Sequence, residues 1–134
     1  MKLTLILTLL ASLVTTGLFS QPALAQNKGD EAVLEMHRAY GKNDAKRLSA
    51  LLPQVRGHVL EPLAAYWDMR VRLDTASDSE IRQFLSTYAG SYYEDRLRND
   101  WLLQLGKRRD WATFTAEYPR FRMRDDREVR CYAL

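Results

Sequence analysis

From about Asp30 onward, apolar residues recur three and four positions apart, and no stretch alternates regularly between apolar and polar. That spacing places them on one face of an α-helix rather than one face of a strand. Val33, Met36, His37 and Tyr40 predict a first helix over 30–40, capped by Asp30 and ended by Gly41. Asn43 or Asp44 caps a second, with Leu48, Leu51, Leu52 and Val55 as its stripe and Pro53 keeping it short or bent. A third begins near Glu61 with Pro62 in its first turn. Its Leu63, Trp67 and Val71 form one stripe, flanked by Tyr66, Met69 and Leu73. Ser77-Asp78-Ser79-Glu80 and Ser91-Tyr92-Tyr93-Glu94 fit capping boxes. The first opens a helix carrying Ile81, Phe84, Leu85 and Tyr88, the second a longer one carrying Tyr93, Leu97, Trp101 and Leu105. Asp110 caps a helix whose buried stripe is Trp111, Phe114 and Tyr118, and Asp125 or Asp126 starts a last one.

The expected fold is all-α. β-Branched residues number ten in the 109 that follow Ala25, too few for a sheet. Gly41, Gly57, Gly90 and Gly106 fall at predicted junctions, and no glycine interrupts a predicted helix. Short helices joined by very short turns predict antiparallel helical hairpins of an α-superhelix or solenoid. The last helix ends on Val129, Cys131, Tyr132 and Leu134, an apolar edge where a solenoid needs a polar cap.

Ahead of these helices the pattern changes. Residues 1–25 carry a single charge, Lys2, followed by an apolar run from Leu5 to Val14 and by Ala23-Leu24-Ala25. A basic start, an apolar centre and a small-x-small end predict a signal-peptide helix cleaved between Ala25 and Gln26. Leu3 to Phe19 is only just long enough to span a bilayer and is diluted by Thr and Ser, so no stable membrane anchor is expected. The mature chain, 26–134, carries 19 Lys and Arg against 17 Asp and Glu, a net charge of +2. Its size admits one modest domain in the periplasm and excludes a multidomain enzyme.

Candidate chemistry is sparse. Cys131 is the only thiol, which excludes a disulfide within the chain and reads as a small buried hydrophobe. His37 and His58 are not spaced for joint ligation, and His37 falls on an apolar face as a core histidine. No metal motif, phosphate loop, nucleophile elbow or cofactor signature is present, so no catalytic, metal or cofactor-binding residue is assigned. Glu94, Asp95, Asp125, Asp126, Asp68 and Asp74 lie at caps or among arginines and read as solvated, ionised surface charge. Arg120, Arg122, Arg124, Arg127 and Arg130 follow Lys107-Arg108-Arg109. Export and the small net charge argue for pairing with the interleaved acids rather than nucleic-acid binding. Trp67, Trp101 and Trp111 are expected to pack between helices.

The run from Tyr92 through Arg98, Trp101 and Leu102 into Lys107-Arg108-Arg109 and the pair Asp110-Trp111 resembles the N-terminal region of soluble lytic murein transglycosylases. Leu60-Glu61-Pro62 leading to Tyr66-Trp67 is similar to that family's Leu-x-Pro helix, and Glu128-Val129-Arg130-Cys131-Tyr132-Ala133 to its cysteine-bearing helix start. The resemblance implies the opening, incomplete part of an α-superhelical, ring-forming domain that contacts peptidoglycan in the full-length protein. A separate C-terminal domain would cleave glycan strands to 1,6-anhydromuramoyl products. The family's catalytic Glu-Ser-Ala, Gly-Leu-Met-Gln and Ala-Tyr-Asn-Ala-Gly patterns are absent from these 134 residues, so no catalytic residue carries over. The alternative is a complete exported helical adaptor that binds another envelope protein. N-terminal sequencing of protein recovered from the periplasm should begin at Gln26; a product that keeps Lys2 would mean that the leader is retained as an anchor.

Overall fold

A computed structural model describes the backbone of residues 21–134, with side chains from Gly29 onward. The charged start and apolar run of the predicted signal peptide lie outside the described residues. Seven α-helices and no strand make up the described chain: α1 (Gln21–Gly41), α2 (Ala45–Leu51), α3 (Glu61–Val71), α4 (Asp78–Thr87), α5 (Tyr92–Lys107), α6 (Trp111–Glu117) and α7 (Arg127–Tyr132). Single 3-10 turns follow α2, over Leu52–Val55, and α6, over Tyr118–Arg120. The all-α expectation holds. No described helix is long and apolar enough to cross a membrane.

The predicted caps largely form. Asp44 accepts from the Arg47 amide at 2.9 Å, Asp110 from Thr113 at 3.2 Å, and Asp126 from Glu128 and Val129. Ser77 and Glu80 close a reciprocal box at the head of α4. The bonds from the Ser77 amide, the Arg72 guanidinium and the Ser77 hydroxyl hold the Glu80 carboxyl down at about 2. Ser91 caps α5, but its partner differs from the expectation: Glu94 turns back to the Gly90 amide at 2.7 Å instead of the Ser91 amide.

Two helices run through glycines that the residue pattern places outside them. The first helix is already formed at Gln21, the first described residue, nine residues ahead of the predicted cap at Asp30. Gly29 therefore lies inside α1, where a Cβ would sit 3.0 Å from the His58 ring. Asp30 is no cap; its carboxylate accepts from His58 Nε2 at 2.8 Å. Gly106 lies inside α5 and does not end it. A Cβ there would fall 2.3 Å from the Tyr132 ring, so the missing side chain is what lets α7 close against α5.

Packing follows a simple order. Helix α1 packs on α3, α3 on α5 and α5 on α7, while α2, α4 and α6 each pack against members of that row. Two cores result, sharing α3. Ala64 and Trp67 face Val33, Met36, Leu48, Leu51 and Val55. Ala65 and Met69 face α4 and α5, where Ile81, Leu97, Trp101, Leu102 and Leu105 are essentially inaccessible to solvent. Each such apolar side chain contributes about 1.5–3 kcal/mol, more than an exposed ion pair at about 0–1 kcal/mol. The stability of the unit therefore resides in these two apolar cores rather than in its surface ion pairs.

Residues 121–126, between the second 3-10 turn and α7, lack regular structure and are held by one buried carboxylate. Asp95 accepts from the Arg122 amide at 2.9 Å and from the Met123 amide at 2.8 Å, which seats Phe121 in the core. Asp95→Ala would strand both donors and should cost about 2–4 kcal/mol. Hydrogen exchange should then show the amides of Arg122 and Met123 losing protection before those of α3.

Candidate functional site

The densest polar chemistry lies along α5. This helix is flanked by α3, α4, α6 and α7, so its polar side chains are enclosed along with its apolar ones. Asp95, Arg98, Asn99 and Asp100 are all buried, as are Asp68 on α3 and Glu117 at the end of α6. This corrects the expectation of solvated surface acids for Asp68 and Asp95. The local arrangement of acids among arginines is as expected, but tertiary packing covers it.

Arg98 is the hub. Its Nη2 lies 2.8 Å from Glu94 one turn earlier in α5, and its Nη1 meets Glu117 across the interface with α6. Glu117 Oε1 is also approached by Arg82 Nε of α4 at 3.5 Å and by Arg120 Nη1 at 3.8 Å. Glu94 further accepts from Arg122 Nη2 at 3.2 Å. Burial alone would raise the Glu94 carboxyl; the bonds from Arg98 and Gly90, with the charges of Arg98 and Arg122, keep it below the usual carboxylate range. Arg98 Nε is buried without an acceptor among the described residues. The Arg82 guanidinium also sits over the Trp101 indole, 5.5 Å from its centre, as a cation–π contact. Above this network opens a cleft of about 610 Å³, lined by Arg82, Arg98, Arg120, Glu94 and Glu117 together with Ser79, Gln83 and Ser86.

Two smaller networks flank it. Tyr66 donates to Asp100 at 2.8 Å, and Arg70 lies 3.1 Å from the same carboxylate. Burial first, and then the Asp100 charge, push the Tyr66 phenol well above its ordinary value. On α3, Asp68 accepts from Ser49 at 2.6 Å and from Arg72 at 2.9 Å. Burial alone would lower the Arg72 guanidinium, but Asp68 and Glu80 raise it above its ordinary value.

The residues weighed in the sequence fall in separate places. Cys131 is exposed and free, so the buried-hydrophobe expectation fails: Val129 and Tyr132 take the inward positions of α7. His37 is exposed on α1, its ring 5.4 Å from Trp67, and is not a core histidine. His58 is the enclosed one. Its Nδ1 accepts from the Leu60 amide at 3.0 Å, which leaves Nε2–H to donate to Asp30. Trp111 is 46% exposed rather than buried and forms a groove with Phe114, Tyr118, Pro119 and Tyr132. Of the C-terminal arginines, Arg120 and Arg122 pair with acids as expected, and Arg124 instead donates to the Phe121 carbonyl at 3.3 Å. Among the described residues no group of three or more His, Cys, Asp or Glu side chains could hold a metal ion.

Glu117 and Arg82 were not singled out by any motif. The Glu94–Arg98 spacing of four was readable as a helical pair. The contact from Arg98 to Glu117 joins two helices across the core, and no local pattern signals it. Arg98→Ala would leave Glu117 buried beside weak partners and should lower stability by about 3–5 kcal/mol in chemical denaturation. The pair replacement Arg98→Met with Glu117→Leu should recover most of that loss, since it removes both charges. Comparison of the chain with protein-family models, with curated proteins and with solved structures finds no match in any of the three.

Proposed function

We propose that this chain is the N-terminal scaffold portion of a periplasmic lytic murein transglycosylase, contributing helical framework and glycan guidance to a reaction carried out by a C-terminal domain. The observation that carries this reading is the row α1, α3, α5, α7, in which each alternate helix packs on the next with a short helix beside it. Stacked hairpins of an α-solenoid have this order, and such arrays extend by adding further pairs. The sequence resemblance supplies the family; the row is the arrangement which that family's superhelical region calls for. The exposed groove of Trp111, Tyr118 and Tyr132 at the α6–α7 end is in keeping with a surface that meets further protein.

The state of the acids also supports a framework role. A carboxyl that protonates a glycosidic oxygen needs a poorly solvated setting without a cationic partner. Asp68, Asp100 and Glu117 are instead paired with arginine, and Asp95 binds backbone amides and lies 3.7 Å from Arg122.

Two measurements test the reading. The reading frame downstream of Leu134 should continue into a Glu-Ser-Ala segment, whereas a stop codon there would favour the exported adaptor. Purified chain incubated with peptidoglycan should release no 1,6-anhydro-muropeptides; their release would place a catalytic carboxylate within these residues and overturn the scaffold role.

A further inference from the structure

The cleft over Arg98 holds more guanidinium than its own acids consume. Arg82, Arg98 and Arg120 line it against Glu94 and Glu117, an excess of one positive charge. Arg98 is engaged at short range through both Nη atoms, whereas Arg82 and Arg120 reach Glu117 only at 3.5 Å and 3.8 Å. Those distances lie at or beyond the limit of a good charge-assisted bond. Neither arginine has another carboxylate within reach among the described residues, and at least half of each side chain is exposed. Two under-used planar forks therefore border an open volume of about 610 Å³, within the size range of small-ligand sites.

We propose that this cleft binds the single carboxylate of a sugar-sized organic acid between Arg82 and Arg120. Three features select that chemistry. A guanidinium presents two parallel N–H groups that match the two oxygens of a carboxylate. The excess of one charge suits a monoanion, while Glu94 and Glu117 repel a phosphate dianion. Ser79, Gln83 and Ser86 add neutral donors and acceptors suited to sugar hydroxyl or amide groups. The floor is already ordered: Arg98 is locked between Glu94 and Glu117, so binding need not immobilise it. In its narrower form, which rests on the scaffold reading above, the bound group is the free lactyl carboxylate of muramic acid in glycan stripped of its stem peptides, since an amide-bonded lactyl group carries no charge.

The test is a titration of the chain with N-acetylmuramic acid, N-acetylglucosamine, glucuronate and inorganic phosphate. It follows the Nε–H resonances of Arg82 and Arg120 and the fluorescence of Trp101, which lies under Arg82. N-acetylmuramic acid should saturate these signals and N-acetylglucosamine, which lacks the carboxylate, should not. Arg120→Gln and Arg82→Gln, both at exposed side chains, should each weaken binding about tenfold with unchanged circular dichroism. Saturation by glucuronate but not by N-acetylmuramic acid would uphold the carboxylate site and overturn its muramic occupant. Saturation by neither acid, equal binding of the neutral sugar, tighter binding of phosphate, or undiminished binding in both variants would overturn the site.

Discussion

The enclosure of α5 by four other helices is the constraint on which the remaining structure depends. A helix buried on one face can leave its charges in water; α5 cannot. Its Leu97, Trp101, Leu102 and Leu105 supply much of the core, but the same turns carry Asp95, Arg98, Asn99 and Asp100. Each of these polar groups then takes a partner from elsewhere in the chain. Asp95 takes the 121–123 backbone, Arg98 takes Glu117, Asn99 takes Asp126 and Asp100 takes Tyr66 and Arg70. An unpaired charge in such a place costs several kcal/mol, so these contacts fix where α3, α6 and α7 can sit.

The arginine-lined cleft is a by-product of that solution. Glu117 neutralises Arg98 at the floor, and its second oxygen draws Arg82 and Arg120 towards the same point without satisfying either. The surplus charge is thereby concentrated at one opening. A net charge of +2 over residues 26–134 hides this local imbalance, because it sums acids and bases that lie far apart in the fold. The capacity to hold an anion follows from arrangement rather than composition.

The glycines show how local and tertiary demands diverge. Gly57 and Gly90 take left-handed turns at junctions, as their positions between apolar stripes indicate. Gly29 and Gly106 are instead placed within helices, where their value is the space they leave for the His58 and Tyr132 rings. Local reading makes Gly106 a stop signal, since its packing partner lies 26 residues away. Cys131, His37 and Trp111 diverge for the same reason. Their helices do turn an apolar face inward, through Met36, Phe114 and Val129, but Cys131, His37 and Trp111 fall at its margin, where no neighbouring helix covers them.

The sequence by itself determined that the chain is helical, where most helices begin, and which residues form the stripes over α2 to α5. Those properties arise from spacing of three and four and from side chains bonding amides two or three residues away, interactions complete within one turn. Tertiary structure alone decided which acids are buried, which glycines serve packing, and that Arg82, Arg98, Arg120 and Glu117 converge. Those outcomes depend on three helices approaching one another, with Arg98 and Arg82 lying 19 and 35 residues from Glu117 in the chain. Burial is a property of the assembled core, and a pattern confined to one helix carries no record of what will cover it.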